Sequence, residues 1–318
     1  MYIAQAFNVL HDWWRYFIGF IIIVAAVVVG QIPFTALVMF KAIEEGDDLA
    51  NLNEQAMLSM LEPNLNLFLM LLSFAIGLVG IFIAIKALHK QTITHLTTSR
   101  PKIDWKRVFF AFFFWGIVSS GLTLLDYFMS PGDYVVNFKL GPFLILCVIA
   151  IIMVPLQTSF EEYLFRGYLM QGIGVLTKTK WVPLITTSLI FGLLHIANPE
   201  VKQLGYVIMV YYIGTGLFLG IMTLMDEGME LALGFHAANN LFTALLVTAD
   251  WTAFQTHSIL KDMSNPTEAG FIDVFLPVFV MFPILLFIFS KKYKWTNWKD
   301  KLFGTVQEPP KEDYKILE

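Results

Sequence analysis

Three clusters of polar residues interrupt strongly apolar stretches in the second half of the chain. They are Glu161-Glu162-Tyr163-Leu164-Phe165-Arg166, Phe191-Gly192-Leu193-Leu194-His195, and Gly234-Phe235-His236-Ala237-Ala238-Asn239-Asn240. An ionisable side chain at the centre of a membrane helix costs about 2.5–3.5 kcal/mol on insertion, so each is a candidate functional residue. The three clusters can satisfy one another's polar groups only if their segments converge. We therefore predict one shared polar site.

Helical spacing assigns these side chains to faces. Glu162 and Arg166 are four residues apart, with the glutamate on the N-terminal side, which predicts an ion pair along one helix. Glu161 points about 100° away from Glu162 and is free for another role. His236 and Asn240 are also one turn apart and project from the same face. Taken singly, each cluster also has a structural explanation, such as charges at a helix end or a histidine bonded to a core carbonyl.

Two kinds of chemistry fit this set of residues. Glu161, His195 and His236 supply the carboxylate and two imidazoles that hold many catalytic zinc ions, which activate a bound water. Without a metal, Glu161 activates water as a general base with help from His195. His236 and the amide of Asn240 then donate hydrogen bonds to the oxyanion, each worth about 2.7–4 kcal/mol. Both versions predict peptide hydrolysis inside the membrane, and the sequence leaves the choice between them open.

Sequence signatures of other intramembrane proteases are absent. The chain contains no His-Glu-x-x-His, no Gly-x-Ser-Gly and no Gly-x-Gly-Asp. These absences exclude a site-2-type metalloprotease and leave no motif for a serine or aspartyl intramembrane protease.

The composition predicts a polytopic membrane protein that positions these residues on helices. Of 318 residues, 57% are hydrophobic and 14% are charged, and the mean hydropathy is +0.66. Such values exclude a disordered chain, a disulfide scaffold and an ordinary soluble enzyme. The single cysteine, Cys147, cannot form an intrachain disulfide. The net charge of -4 gives no reason to expect binding to nucleic acid.

Hydropathy predicts an all-α bundle of eight transmembrane helices, because about 20 apolar residues are needed to cross a bilayer. The predicted spans are 16–40, 65–88, 107–129, 141–160, 182–197, 204–225, 230–248 and 271–290. Most of the 21 Lys and Arg residues lie in the N-terminal segment, in loops 86–107 and 161–181, and in the tail after the last span. The positive-inside rule then places both termini in the cytoplasm.

This organisation predicts three regions, of which only the middle one carries the polar clusters. Residues 1–139 form membrane spans and loops, residues 140–250 form the catalytic core, and residues 251–318 form the last span and a basic, aromatic tail. Trp295 and Trp298 stand among lysines, which predicts that the start of the tail lies at the lipid headgroups.

The ordered set Glu-Glu-x-x-x-Arg, Phe-x-x-x-His and His-x-x-x-Asn over residues 140–248 resembles the CPBP family of intramembrane endopeptidases. That family includes the type II CaaX prenyl proteases and bacterial Abi-type proteins. The resemblance implies that Glu161 and His195 activate water, and that His236 and Asn240 hold the oxyanion. It also implies a structural pair of Glu162 with Arg166.

The family resemblance further implies a peptide or lipidated protein as substrate, within a lipid environment. We expect a bacterial inner (cell) membrane protein, in which case a prenylated substrate is not assured. The alternative, from a different class, is a non-catalytic membrane protein. It would be a proton-coupled transporter that uses Glu161, His195 and His236 as a relay, or a bacteriocin-immunity-type binding protein.

One feature of the predicted spans conflicts with a shared site. His195 lies about 20 Å into the fifth span, whereas Glu161 lies at the cytoplasmic end of the fourth. Either the fourth span is oblique, or the fifth begins beyond the predicted membrane boundary.

Overall fold

The chain folds into a bundle of helices with a very small sheet at one end. The computed structural model describes residues 1–46, 54–266 and 271–310, so residues 311–318 of the predicted tail lie outside the described residues. The α-helices are α1 Trp13–Glu45, α2 Glu54–Ser59, α3 Pro63–Ala84, α4 Ile93–Thr97, α5 Trp105–Met129, α6 Leu140–Glu162, α7 Met170–Thr177, α8 Trp181–Leu193, α9 Pro199–Leu204, α10 Met209–Asp226, α11 Glu230–Leu246, α12 Phe271–Leu276, α13 Phe282–Tyr293 and α14 Trp298–Phe303. The prediction of an all-α polytopic membrane protein is confirmed.

Six helical segments of the described chain are long and apolar enough to cross a membrane. They are Trp13–Glu45, Pro63–His89, Trp105–Met129, Leu140–Thr177, Tyr206–Asp226 and Val274–Tyr293. The predicted fifth and seventh spans are helical as well, but α8 and α11 are shorter. The count of eight crossings and the cytoplasmic location of both termini stay predictions.

The fourth span is much longer than its apolar window indicates. Helix α6 continues without a break through the π-helical segment Tyr163–Leu169 into α7, so one helix runs from Leu140 to Thr177. The predicted end of this span at residue 160 and the predicted loop 161–181 are therefore wrong. The helix continues because the charges of its central turns are paired inside the protein.

This long helix removes the conflict over the depth of His195. At 1.5 Å per residue, Glu161 lies roughly 24 Å before the end of α7, and His195 lies roughly 21 Å beyond the start of α8. Since α8 follows α7 after a short turn, the chain returns to the level of Glu161 when it reaches His195. Glu161 and His195 can therefore lie at the same level of the bundle although the fifth helix begins at Trp181, close to the predicted residue 182.

Close packing among α5, α6 and α11 fixes the central part of the bundle. Helix α11 packs against both α5 and α6, and α10 packs against α8. At Gly234 a Cβ atom would lie 2.0 Å from the carbonyl oxygen of Val108, so only glycine allows α11 to approach α5 this closely. The approach fixes the position of His236, which lies two residues further along α11.

The two ends of the bundle differ in construction. At one end, β1 Tyr134–Val136 pairs antiparallel with β3 Leu260–Asp262, which pairs parallel with β2 Val247–Thr248. At the other end, buried ion pairs join the loop before α5 to the turn between α10 and α11. We call this second end the basic end; it consists of residues 98–107, 226–230 and 291–306.

The buried ion pairs of the basic end centre on Asp226. Its carboxylate accepts hydrogen bonds from Arg100 at 3.0 Å, from Arg107 at 2.5 Å and from the indole N–H of Trp295 at 2.9 Å. Arg100 also pairs with Glu230 at 3.0 Å. These contacts fix the segment after α13 against the rest of the bundle.

Candidate active site

Glu162 and Arg166 form an ion pair that is completely buried inside the bundle. Arg166 Nη1 donates to Glu162 Oε1 at 3.0 Å, and the two side chains are 1% and 0% exposed. The second amino group of Arg166 donates to the carbonyl oxygen of Gly216 on α10 at 3.0 Å. The guanidinium also lies 4.6 Å from the centre of the Phe191 ring. Arg166 therefore joins the long helix to both α8 and α10.

His236 lies between the two glutamates. Its Nδ1 is 2.8 Å from Glu162 Oε1, and its Nε2 is 3.4 Å from Glu161 Oε2. Because an ionised carboxylate only accepts hydrogen bonds, Nδ1 carries a proton and donates a hydrogen bond to Glu162. Sequence reasoning gave Glu162 a structural role with Arg166 alone. In the structure Glu162 also orients the imidazole of His236.

A chain of side-chain amides connects Asn240 to Glu161. Gln157 Nε2 donates to Glu161 Oε1 at 2.7 Å, and Gln157 Oε1 accepts from Asn240 Nδ2 at 3.1 Å. Asn240 Oδ1 accepts from Asn239 Nδ2 at 3.2 Å, and Asn239 Oδ1 accepts from the indole N–H of Trp115 at 3.1 Å.

All four of these hydrogen bonds point in the same direction. The indole of Trp115 can only donate and the carboxylate of Glu161 can only accept, so the ends of the chain fix the orientation of the three amides between them. Hydrogen bonds aligned in this way polarise one another. This series of hydrogen bonds therefore holds Glu161 in one position. It uses only one of the two N–H groups of the Asn240 amide, the one that donates to Gln157.

His195 borders this network without a direct hydrogen bond to it. Its Nδ1 is 2.7 Å from the carbonyl oxygen of Phe191, which fixes the proton on Nδ1 and leaves Nε2 as an acceptor in the neutral ring. The ring stacks on Tyr212 of α10, with centroids 4.4 Å apart. Phe191 in turn contacts His236 edge to face at 6.1 Å. Within the described part of the chain, no hydrogen bond joins His195 to Glu161.

The structure thus brings Glu161, His236 and Asn240 into one network, with His195 beside it. Sequence reasoning missed four further residues of this site: Gln157, Trp115, Asn239 and Tyr212. Gln157 could have been found, since it precedes Glu161 by four residues in the same helix. Asn239 belongs to the third polar cluster but lies outside the His-x-x-x-Asn spacing, and Trp115 and Tyr212 belong to apolar helices in which one aromatic residue gives no signal.

A zinc site with three protein ligands does not fit this arrangement. Among residues 1–46, 54–266 and 271–310, no three His, Cys, Asp or Glu side chains are grouped so that they could hold a metal ion. Both nitrogens of His236 face carboxylates, and Nδ1 of His195 is bonded to its own helix.

The fold and the network define a polytopic α-helical membrane protein with a buried Glu–His–Asn site. Comparison with known proteins agrees with this class. Residues 140–242 match the family described as type II CAAX prenyl endopeptidase Rce1-like. The uncharacterized protein YyaK of Bacillus subtilis (strain 168) is 31% identical over 236 residues, which cover 74% of this chain and 78% of YyaK. No solved structure is significantly similar to the chain.

The chain belongs to the Rce1-like family of type II CAAX prenyl endopeptidases. The family predicted from the three motifs is confirmed, and the matched residues 140–242 contain all three motifs. This membership and the apolar helices identify an integral membrane protein. They support an intramembrane endopeptidase of the CAAX-protease type that acts on a peptide or protein.

Proposed function

We propose that the chain hydrolyses a peptide bond within the membrane, with Glu161 as the general base. The observation that carries this proposal is the position of His236, which contacts Glu161 and Glu162 from a different helix. A carboxylate and an imidazole inside an apolar bundle are energetically costly, and such residues generally mark functional sites. The same pair is suited to moving a proton and to stabilising a negative charge.

In the proposed reaction Glu161 takes a proton from water, and the water oxygen attacks the carbonyl carbon of the scissile bond. The acceptor nitrogen Nε2 of His195 binds and orients the same water. When the tetrahedral intermediate breaks down, the C–N bond breaks and Glu161 returns the proton to the leaving amine. Gln157 keeps the carboxylate of Glu161 in one position during both transfers.

His236 and Asn240 are proposed to stabilise the oxyanion. Glu162 accepts a hydrogen bond from Nδ1 of His236 and, with Arg166, fixes the ring with Nε2 on the side of Glu161, where the reacting carbonyl is proposed to bind. In this role the ring carries a proton on Nε2 as well, as an imidazolium, and donates it in a hydrogen bond to the oxyanion. Asn240 uses one N–H for Gln157 and has a second N–H for the oxyanion. Donors held in place before the reaction stabilise the developing charge more than mobile ones do.

The proposed substrate is a peptide with a lipidated cysteine near its C-terminus, in a bacterial cell membrane. The test uses the purified full-length protein in detergent and a quenched fluorescent peptide, with and without a prenyl group on its cysteine. We expect cleavage, with a lower KM for the prenylated peptide. A preparation from cells that lack the protein serves as the blank.

Absence of cleavage of both peptides, together with proton flux into proteoliposomes, would contradict the proposal and favour a transporter. Metal chelators are added in a parallel reaction. Inactivation by a chelator with recovery on addition of zinc would refute the metal-free mechanism while leaving peptide hydrolysis in place.

Replacement of Gln157 by Leu is expected to lower kcat about 30-fold with little change in KM. The variant loses two hydrogen bonds, each worth about 1 kcal/mol net, and no longer links Glu161 to Asn240. Gln91→Leu is the matched control, because Gln91 is also buried and hydrogen-bonded, to Gln171 at 2.8 Å. It should lower the unfolding temperature and leave kcat unchanged. Equal kcat values for the two variants would show that Gln157 has only a structural role.

A further inference from the structure

An open cavity of about 710 Å³ lies at the basic end, between the last turns of α13 and the start of α14. The wall is apolar near residue 283 and becomes polar and basic toward residue 298. Pro283, Leu286 and Phe287 form the apolar part, and Ser290, Lys291, Lys294, Thr296 and Trp298 form the polar part, with Trp295 between them. The volume lies in the range of cavities that bind small ligands, about 300–1,000 Å³.

The cavity wall is rigid. Trp295 is buried, its backbone N–H donates to the carbonyl oxygen of Ser290 at 3.0 Å, and its indole N–H donates to Asp226. Trp298 contacts the ring of Trp295 edge to face, with centroids 5.9 Å apart. Asp226 itself is fixed by two arginines. These contacts hold Trp295 and the adjacent Trp298 in place as one wall of the cavity.

The positive charge of this cavity is not neutralised by the protein. Two other lysines of the basic end have partners within the chain: Lys301 pairs with Glu227, and Lys292 lies 4.0 Å from the centre of the Phe110 ring. Lys291 and Lys294, in contrast, pair with no acidic side chain among the described residues. The ammonium group of Lys291 lies 5.3 Å from the centre of the exposed Phe287 ring. Two exposed ammonium groups thus border an apolar groove at the end of a membrane-spanning helix.

We propose that this cavity binds one anionic phospholipid. Its acyl chains would lie against Pro283, Leu286 and Phe287, and its phosphate would lie between Lys291 and Lys294. The hydroxyl groups of Ser290 and Thr296 are available as further donors to the headgroup. A zwitterionic lipid carries a positive group that the two lysines repel, so the site selects for net negative charge.

The experiment is native mass spectrometry of the full-length protein in detergent, with titration of phosphatidylglycerol or phosphatidylcholine of the same acyl chains. We expect the wild type to bind the first phosphatidylglycerol at least 10-fold more tightly than phosphatidylcholine. Lys291→Ala/Lys294→Ala should weaken binding of phosphatidylglycerol roughly 30-fold, since each lysine contributes about 1 kcal/mol. Its affinity for phosphatidylcholine should not change.

The matched control is Lys102→Ala/Lys106→Ala, which removes two exposed lysines from the same end of the bundle but not from the cavity. It should bind phosphatidylglycerol as the wild type does. Equal weakening by both double variants would show a general charge effect and overturn the proposal, as would a wild type that does not distinguish the two lipids. Unfolding temperatures without lipid identify any variant that fails to fold.

Discussion

Replacement of Glu161 by Gln is expected to lower the rate of peptide cleavage by about 10³-fold. Removal of a general base costs 10²- to 10⁴-fold in rate, roughly 3–5 kcal/mol of transition-state stabilisation. Glutamine has nearly the same size, and its side-chain oxygen can still accept the hydrogen bond from Gln157. The substitution therefore removes the proton acceptor while it preserves the packing of α6 against α11. The measurement is kcat and KM with the quenched lipidated peptide.

The control for this variant is Glu44→Gln, which makes the same chemical change at an exposed position near the end of α1. Its kcat should equal that of the wild type. The two variants should also have unfolding temperatures close to the wild-type value. A Glu161→Gln protein that is folded and retains half of the wild-type kcat would eliminate Glu161 as the base. In that case the polar network would have a structural role only.

The part of the site that could be predicted from the sequence is the part defined by local helical geometry. The contact between Glu162 and Arg166 follows from a separation of four residues, and it is present at 3.0 Å. The contact of His236 with Glu162 joins residues 74 positions apart and depends on how α11 packs against α6. Spacing along one helix gives no information about that distance. The motifs therefore predicted a shared site but not which side chain contacts which.

The helices were predicted well where the chain is uniformly apolar and less well where charges are paired. The long spans α1, α3 and α5 have ends close to those expected. Hydropathy predicts the end of the fourth span at residue 160, because a hydropathy window counts Glu161, Glu162 and Arg166 as charges that must reach water. In the structure Arg166 pairs with Glu162, and Glu161 accepts a hydrogen bond from Gln157, so these charges have partners inside the bundle and the helix continues to Thr177. A hydropathy average scores each residue separately and therefore does not include the pairing of one charged side chain with another.

Replacement of Arg166 by Met is expected to lower the free energy of unfolding by about 3–5 kcal/mol. The substitution leaves the carboxylate of Glu162 buried without its cation, and removal of one partner from a buried ion pair costs about this much. It also removes the hydrogen bond to the carbonyl oxygen of Gly216. The measurement is the loss of folded protein on heating or in denaturant, in the same detergent as the wild type.

Lys41→Met is the matched control for this prediction. Lys41 and Glu45 also form an ion pair four residues apart, at 3.3 Å, but their side chains are 40% and 49% exposed. Exposed pairs of this kind contribute about 0.3–0.5 kcal/mol, so the control should unfold nearly as the wild type does. The double variant Glu162→Gln/Arg166→Met should be more stable than Arg166→Met alone, because it contains no unpaired buried charge. If the double variant is instead the less stable of the two, the loss comes from packing of the arginine side chain rather than from the charge left on Glu162.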